Sequence, residues 1–379
     1  MIRFGMWSTI LALTSLHGLV VAVLLTRVKA NRQANRMLAA LIVVMVLAMT
    51  PYTLGYAGCY DAWPWLTFAP FFWQLALGPL LWLYVVTTAT ATLPPRWRWH
   101  LLPAALQGLY YLVLFLQPLD VKHAWYLGPH AAVVAPLQWT LVGLSVTAYW
   151  TAAGRVFLRW QRWLKAHSAA AEEYRLTWLR RFLCLTGTVI VIGMAFALWD
   201  IAVRPVSYFD AFGLYLSFAA LVYALGVEGW RHAGASPPRM QDTPAPAPPP
   251  PLVDWSVRAR AWAATIEREG WYREPELTLA TVARRLGTNT AYLSRGLNEG
   301  LGAGFSHVIN RMRVDAACVA LARGGAVLGT GLDVGFGSKA TFNRVFRQLT
   351  GCTPSAYRAR AGEGLIAEIS TAHREPGTP

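Results

Sequence analysis

The amino-terminal part of the chain alternates long apolar runs with short polar stretches. Seven runs reach or approach the ~20 residues that cross the hydrocarbon core of a bilayer. They occupy residues 7–26, 37–57, 65–86, 101–117, 132–153, 182–201 and 208–229. The first run has neither a basic leader nor a small-residue cleavage site, so it is not typical of a signal peptide. The pattern predicts seven membrane-spanning helices, the fourth only just long enough.

The basic residues between these runs fall mostly in alternate loops. The loops after the first, third and fifth runs hold 13 Lys and Arg, whereas the amino terminus and the remaining loops hold 3. Because Lys and Arg remain on the cytoplasmic side of a membrane protein, this bias predicts an external amino terminus and a cytoplasmic carboxyl terminus.

A proline-rich stretch separates the apolar part from the rest of the chain. Residues 234–251 read GASPPRMQDTPAPAPPPP and contain 8 prolines. Proline lacks the N–H that a helix interior needs, and a proline-rich linker extends by ~3.1 Å per residue. We therefore predict a stiff spacer. The predicted organisation is a membrane domain at 1–232, a linker at 233–251, a soluble domain at 252–362 and a flexible tail at 363–379.

Beyond the linker, the apolar spacing becomes that of short amphipathic helices. Leu279, Val282, Ala283 and Leu286 lie on one helical face, and Gly287 follows as a stop signal. The next stretch, TNTAYLSRGLNEGLG, begins with polar capping residues and continues as a second helix. Two short helices joined at a glycine turn predict a helix-turn-helix.

The same pattern returns 49 residues further along the chain. Leu293, Ser294, Arg295, Leu297 and Gly302 correspond to Phe342, Asn343, Arg344, Phe346 and Gly351. The stretch between the copies, residues 305–324, has the spacing of one long amphipathic helix. The predicted fold class is all-α, with a polytopic seven-helix membrane domain and a soluble domain of two helix-turn-helix units joined by a long helix.

Residues 277–360 resemble the DNA-binding domain of the AraC/XylS family of bacterial transcription regulators. The resemblance lies in LATVARRLGTNTAYLSRGLNE, INRMRVDAA and VGFGSKATFNRVFRQLTGCTPSAYR. It implies two recognition helices in successive major grooves on one face of the duplex. It also implies a motif core at Gly287, Leu293, Gly335, Phe336, Phe342, Phe346, Gly351 and Pro354.

The position of each residue in that motif implies its role. The residues that would contact base edges are Ala291, Ser294, Arg295, Lys339, Ala340, Asn343 and Arg344. The residues that would contact phosphates are Arg347, Arg358 and Arg360. Arginine pairs bidentately with guanine and asparagine with adenine, whereas phosphate contacts position a protein without specifying sequence. The alternative for each is an ordinary solvated surface side chain.

Composition and charge refine this picture. The chain is 55% hydrophobic and only 14% charged, with a mean hydropathy of +0.35, values that favour a membrane protein. The net charge of +15 is concentrated in the apolar part, where membrane topology explains it. Residues 277–360 carry 11 basic against 3 acidic residues, and that local excess is typical of phosphate binding.

One segment departs from the resemblance. Gly329, Thr330 and Gly331 stand where such regulators have alanine or large aliphatic residues. A glycine inside a helix costs ~1 kcal/mol relative to alanine. We therefore expect a loosely ordered second helix-turn-helix, in which Gly331→Ala raises the thermal midpoint.

Polar residues in the apolar part are candidates for sensing a signal. Asp200, Arg204 and Asp210 flank the turn between the last two runs and could line a pocket; the alternative is that they are solvated or paired. Asp120, His123 and His130 share one external loop, but the four scattered cysteines and this spacing do not predict a metal site. Motifs of hydrolases, kinases and phosphate loops are lacking, so we expect neither an enzyme nor a cofactor.

These observations favour a membrane-anchored one-component transcription regulator that binds promoter DNA under the control of a signal sensed in its membrane domain. The expected location is the bacterial inner membrane, with the DNA-binding domain in the cytoplasm. The expected partners are double-stranded DNA and the lipid bilayer; further candidates are RNA polymerase, a second copy of the chain and a small-molecule or membrane signal. The alternative is a membrane receptor or transporter with a carboxyl-terminal protein-docking module.

Overall fold

The computed structural model describes residues 2–169, 177–203, 209–234, 239–240 and 254–361. Within those ranges the regular elements are helices, which confirms the all-α prediction. The chain forms two compact units. The first comprises Met1–Arg159 and Leu176–Arg239, and the second comprises Trp160–Arg175 and Met240–Pro379.

Nine α-helices precede the linker in the described part of the chain. They are α1 (Met6–Arg27), α2 (Arg32–Tyr56), α3 (Cys59–Ala62), α4 (Leu77–Thr90), α5 (Leu102–Phe115), α6 (Leu119–Trp125), α7 (Ala135–His167), α8 (Thr177–Ala202) and α9 (Phe212–His232). Among the described residues, five helical segments are long and apolar enough to cross a membrane. These are Met6–Arg27, Arg32–Tyr56, Leu119–His167, Thr177–Asp200 and Phe212–His232.

The third and fourth apolar runs form shorter helices than the sequence pattern predicts. Helices α4 and α5 each have 14 residues, which span about 21 Å. The third run starts with a 3₁₀ turn at Pro64–Leu66, and α4 begins only at Leu77, after Phe68 at a φ of +64° and Pro70, whose ring cannot lie in a helix interior, interrupt the run. The backbone before α4 is paired instead with a side chain of α5, since Gln107 accepts a hydrogen bond from the Leu75 N–H at 3.0 Å.

Small residues allow α1, α2 and α9 to pack closely. A methyl group placed on Gly18 would lie 2.8 Å from Val222. One placed on Gly226 would lie 2.6 Å from Nε2 of His17, so His17 packs closely against α9 at this glycine. Close approach at small residues is a common way for apolar helices to associate.

The second unit contains the helices that follow the linker. They are α10 (Trp255–Arg268), α11 (Leu279–Arg285), α12 (Thr290–Leu301), α13 (Phe305–Ala322), α14 (Val327–Asp333), α15 (Lys339–Thr350) and α16 (354–361). Helix α13 joins two cores. Its first half packs with α10, α11 and α12 around Leu293 and Leu297, and its second half packs with α14 and α15 around Phe342 and Phe346.

The 49-residue repeat is present in the backbone as well as in the sequence. Helices α12 and α15 have 12 residues each and carry the same caps at matched positions. The Asn289 side chain accepts a hydrogen bond from the Tyr292 N–H at 2.7 Å, and Ser338 accepts one from the Thr341 N–H at 3.2 Å. Each helix ends at a left-handed glycine, Gly302 or Gly351. The predicted pair of helix-turn-helix units is therefore confirmed as two copies of one design.

The structure gives a packing reason for one of the unusual glycines of α14. A methyl group placed on Gly331 would lie 2.6 Å from Cδ1 and 2.8 Å from Cγ of Phe342, a ring that is fully buried. Gly331 therefore lets α14 approach α15 closely, and α14 is a formed helix. The expectation that Gly331→Ala stabilises the second helix-turn-helix is reversed, because it considered helix propensity and not this contact.

A buried arginine connects the two helix-turn-helix units. Arg313 in the middle of α13 is only 1% exposed, and its guanidinium donates hydrogen bonds of 2.7 Å to the carbonyls of both Tyr272 and Glu274. The same guanidinium lies 5.6 Å from the ring centre of Phe336 in the second turn. Gly335 beside it has a φ of +98°, and a methyl group there would lie 2.6 Å from the Arg273 carbonyl oxygen. These contacts fix the second turn against the segment that precedes α11.

Candidate nucleic-acid interface

Helix α15 presents most of the predicted contacts of the second helix-turn-helix on one surface. Its amino-terminal residues Lys339 and Ala340 are exposed, and Asn343 and Arg344 are half-buried one turn later. A groove is lined by Ala340, Asn343, Arg344, Arg347, Gln348 and Thr353. The spacing follows from the helix, because residues three or four apart lie on the same face. The structure thus brings four predicted residues together and adds two that the motif did not indicate.

The groove contains an acceptor with unused hydrogen-bonding capacity. Oδ1 of Asn343 is buried and accepts no hydrogen bond within the described part of the chain. Buried polar atoms usually have partners, and an Asn side chain in a major groove can accept from adenine N6 and donate to N7. A rotation of the Asn343 side chain would present this buried acceptor to a ligand in the groove.

The predicted contact residues of the first helix-turn-helix, on α12, are either half-buried or paired within the protein. Ala291 and Ser294 are half-buried. Arg295 is exposed, but its Nε donates to Glu299 Oε1 at 2.7 Å and its guanidinium lies 5.8 Å from the ring centre of Trp255. An exposed pair of this spacing is worth only a few tenths of a kcal/mol. A base or phosphate could therefore replace Glu299 at little cost.

Helix α10 holds α12 in place from behind. A methyl group on Gly296 would lie 2.5 Å from the Trp262 ring, and one on Gly300 would lie 2.1 Å from the Trp255 carbonyl oxygen. Helix α10 begins at Asp254, whose carboxylate accepts hydrogen bonds from Ser256 and from the N–H of Val257. Those bonds lower the pKa of the Asp254 carboxyl, with the Ser256 hydroxyl as the largest cause.

The predicted phosphate-contacting side chains are available at the surface. Arg347, Arg358 and Arg360 are all exposed, the first on α15 and the others on α16. Helix α16 is held against the second core by Tyr357, whose ring centre lies 5.6 Å from that of Phe346. The roles of these arginines as phosphate contacts stay predictions from the resemblance.

The predicted motif core divides into two physical roles. Buried members form the cores or the second turn: Leu293, Gly335, Phe336, Phe342, Phe346 and Pro354. Gly287 and Gly351 are exposed and instead supply positive φ, at +65° and +81°, which costs glycine little.

The candidate signal pocket of the apolar part falls partly outside the described residues. Asp200 and Asp210 are exposed, and Arg204 lies outside the described residues, so the signal pocket stays a prediction. Groups of three or more metal-binding side chains were not found among the described residues. His130 does contact a neighbour, since its Nδ1 lies 2.9 Å from the Tyr110 hydroxyl.

Four residues of the interface were missed by reasoning from the sequence. Gln348 and Glu299 lie four residues after Arg344 and Arg295, so helical spacing could have indicated both. Thr353 and Trp255 come from other segments and reach the interface only through tertiary packing, for which the sequence carries no local signal.

Comparison with known proteins agrees with this geometry. Residues 282–360 match the family described as "Helix-turn-helix domain". Uncharacterised HTH-type transcriptional regulators of Staphylococcus aureus strains MSSA476, N315 and MW2 are each 33% identical over 84 residues. The aligned region covers 22% of this chain and 11% of each relative, so the chain spans about a ninth of their length. No solved structure gives a significant match. The second unit thus carries a helix-turn-helix domain like those of named transcription regulators.

Proposed function

We propose that the protein is a membrane-anchored, one-component transcription regulator that binds promoter DNA through α12 and α15. The observation that carries the proposal is the duplicated helix-turn-helix with matched caps, in which α15 displays Asn343 and Arg344 in one groove. A helix fits the major groove, and residues near its start reach base edges.

Both recognition helices would contact bases, and a separate set of arginines would contact phosphates. Lys339, Ala340, Asn343 and Arg344 would read bases through α15, and Ala291, Ser294 and Arg295 would read through α12. Arg347, Arg358 and Arg360 would contact phosphates. This assignment follows the resemblance, and it is supported by the exposure or groove position of all of these side chains except Ala291 and Ser294, which are half-buried.

The apolar helices support an anchor in the membrane. Five helical segments among the described residues have the length and hydropathy to cross a bilayer, and many of their large apolar side chains are exposed, Leu13, Val191 and Leu198 among them. The bias of basic loops favours a cytoplasmic DNA-binding unit. The membrane helices would sense a signal, and a signal changes DNA affinity only if it binds two states of the protein differently.

DNA selection with the full-length protein in lipid nanodiscs tests the proposal. The wild type should enrich specific genomic fragments, with an affinity that falls steeply as salt rises. Arg344→Ala should lower affinity for the enriched sequence by ~1–3 kcal/mol, the discrimination of one bidentate base contact. Arg347→Ala should weaken all sequences alike and reduce the salt slope by about one.

Arg323→Ala is the matched control, because Arg323 is equally basic and exposed but lies at the end of α13. It should leave selection and sequence preference unchanged. If the wild type enriches no sequence over random DNA, the domain is a protein-docking module and the regulator proposal is wrong.

A further inference from the structure

The second unit contains a short segment that lies far in the sequence from the rest of that unit. Residues 160–169 precede the linker and include the last turns of α7, yet their contacts assign them to the same unit as residues 254–361. Ser168 forms an isolated antiparallel bridge with Thr278, and the Ala169 N–H donates to the Leu277 carbonyl at 3.1 Å. This segment is therefore paired with the backbone that leads into α11.

Side chains of the segment are buried at this pairing. Ser168 is 3% exposed and Ala169 is 1% exposed, and Ala169 belongs to the core that contains Leu279, Leu293 and Leu297. The carbonyl of Lys165 lies near Gly304, where α13 begins, since a methyl group on that glycine would lie 3.8 Å from it. The segment therefore touches the start of α11 and the start of α13.

We infer that Leu277, Thr278 and Gly304 form a docking surface whose occupant is residues 164–169 of this chain, and that docking orders the first helix-turn-helix. Undocking would open one face of the first core to water and leave the buried Leu277 carbonyl without its donor, and an unpaired buried carbonyl is unfavourable. The segment is short and its pairing is an isolated bridge, so docking is a local contact of the kind that a signal can shift.

The location of the docking surface indicates that docking favours DNA binding and does not inhibit it. Thr278 caps α11 by accepting a hydrogen bond from the Thr281 N–H at 3.2 Å, and none of the predicted base-contacting residues lies in the contact. Docking therefore supports the fold of α11 and α12 without covering Ser294 or Arg295. The segment is covalently continuous with the apolar part of α7. The inference concerns the regulation of the DNA-binding unit and so rests on the proposed function.

Hydrogen exchange measured by mass spectrometry on the full-length protein in nanodiscs tests the inference without any DNA. Ala169→Asp places a charge in the first core, which is unfavourable for an unpaired ion. Exchange in residues 279–301 should rise about tenfold or more, as expected for local opening, while exchange in residues 339–350 stays unchanged. Ala264→Asp is the control, because Ala264 is an exposed alanine of α10, and it should leave both regions unchanged. Unchanged exchange in residues 279–301 of Ala169→Asp, or an equal rise in both regions, would overturn the inference.

A cross-link provides a second variant that does not disturb the core. Paired residues across an antiparallel bridge lie within disulfide reach, so Ser168→Cys with Thr278→Cys should cross-link on mild oxidation, whereas either single variant should not. Exchange in residues 279–301 of the cross-linked protein should then be below that of the same double variant in the reduced form, which lacks the Thr278 cap as well. A failure to cross-link would overturn the docking.

DNA fragments enriched by the wild type separate this inference from the proposed function. The cross-linked protein should bind them at least as tightly as the reduced form. A loss of binding on cross-linking would show that docking inhibits, contrary to the inference. If no fragment is enriched, the proposed function fails, and the exchange and cross-linking results still decide whether the segment docks.

Discussion

Gly329 and Gly331 stand two residues apart in α14, and the structure predicts opposite effects for the same substitution. A methyl group on Gly329 meets nothing within 4 Å, and its φ is not in the left-handed region. Gly329→Ala should therefore gain the full helix-propensity difference of ~1 kcal/mol. A methyl group on Gly331 would instead press on the ring of Phe342 at 2.6 Å.

The ring has little room to move away from Gly331. Phe342 is fully buried, with ring centres of Phe336 and Phe346 at 5.3 and 5.5 Å. Overpacking a core typically costs ~1–3 kcal/mol, against the ~1 kcal/mol gained in propensity. We expect Gly331→Ala to destabilise the second helix-turn-helix by up to about 2 kcal/mol after both effects are combined.

Thiol labelling in the full-length protein measures both variants. Cys318 and Cys352 are half-buried against the second core, so their reactivity on heating reports its opening. Cys184→Ser in every sample removes the exposed cysteine of α8. A change of 1 kcal/mol moves the midpoint by ~4–8 °C in a domain of this size. Gly329→Ala should raise the labelling midpoint and Gly331→Ala should lower it. An equal rise in both variants would refute the packing argument and restore the interpretation from propensity alone.

Three further substitutions test the contacts that hold the DNA-binding unit together. Arg313→Ala removes the hydrogen bonds to the carbonyls of Tyr272 and Glu274 and leaves the Tyr272 carbonyl without this donor; it should cost ~1–3 kcal/mol or more in chemical denaturation, and an unchanged midpoint would contradict a stabilising role of Arg313. Ser338→Ala removes the cap of α15 and should cost ~1 kcal/mol, with Ser338→Asn as a control that retains a capping oxygen. Asp254 stabilises α10 as a carboxylate, and its pKa is lowered in the folded state. Its contribution is therefore present above the ordinary value of 3.8 and lost as pH falls through the lower folded pKa. Hydrogen exchange of residues 255–268 should show that loss in the wild type and not in Asp254→Ala.

Much of the second unit follows from local sequence rules. The glycines that end α12 and α15, the caps Asn289 and Ser338, and the 3.6-residue spacing of apolar side chains each act within a few residues of chain. For that reason the helix-turn-helix units, their 49-residue relation and the buried positions could be predicted from the pattern of residues alone. The predictions were weaker where proline interrupts an apolar run, since hydropathy alone does not report that α4 begins at Leu77.

Other features depend on residues that are distant in the chain. The reason for a glycine at position 331 cannot be read from the sequence. Helix propensity disfavours glycine there, and only the close approach of the Phe342 ring accounts for it. Arg313 lies in a surface-like pattern of basic residues, but it is buried because the carbonyls of residues 272 and 274 converge on it. The groove at Arg344 gains Thr353 from beyond the helix end.

The sequence by itself determined the pattern of each part: apolar runs with basic loops, a proline-rich spacer, and a duplicated helix-turn-helix. Periodicity, capping and turn chemistry are local, so a single sequence carries them. Only the tertiary structure decided that α10 supports α12 and that Ala169 joins the first core. Such contacts join segments that lie from tens to more than 100 residues apart, and the free energy that selects them comes from packing that is defined only once the chain is folded.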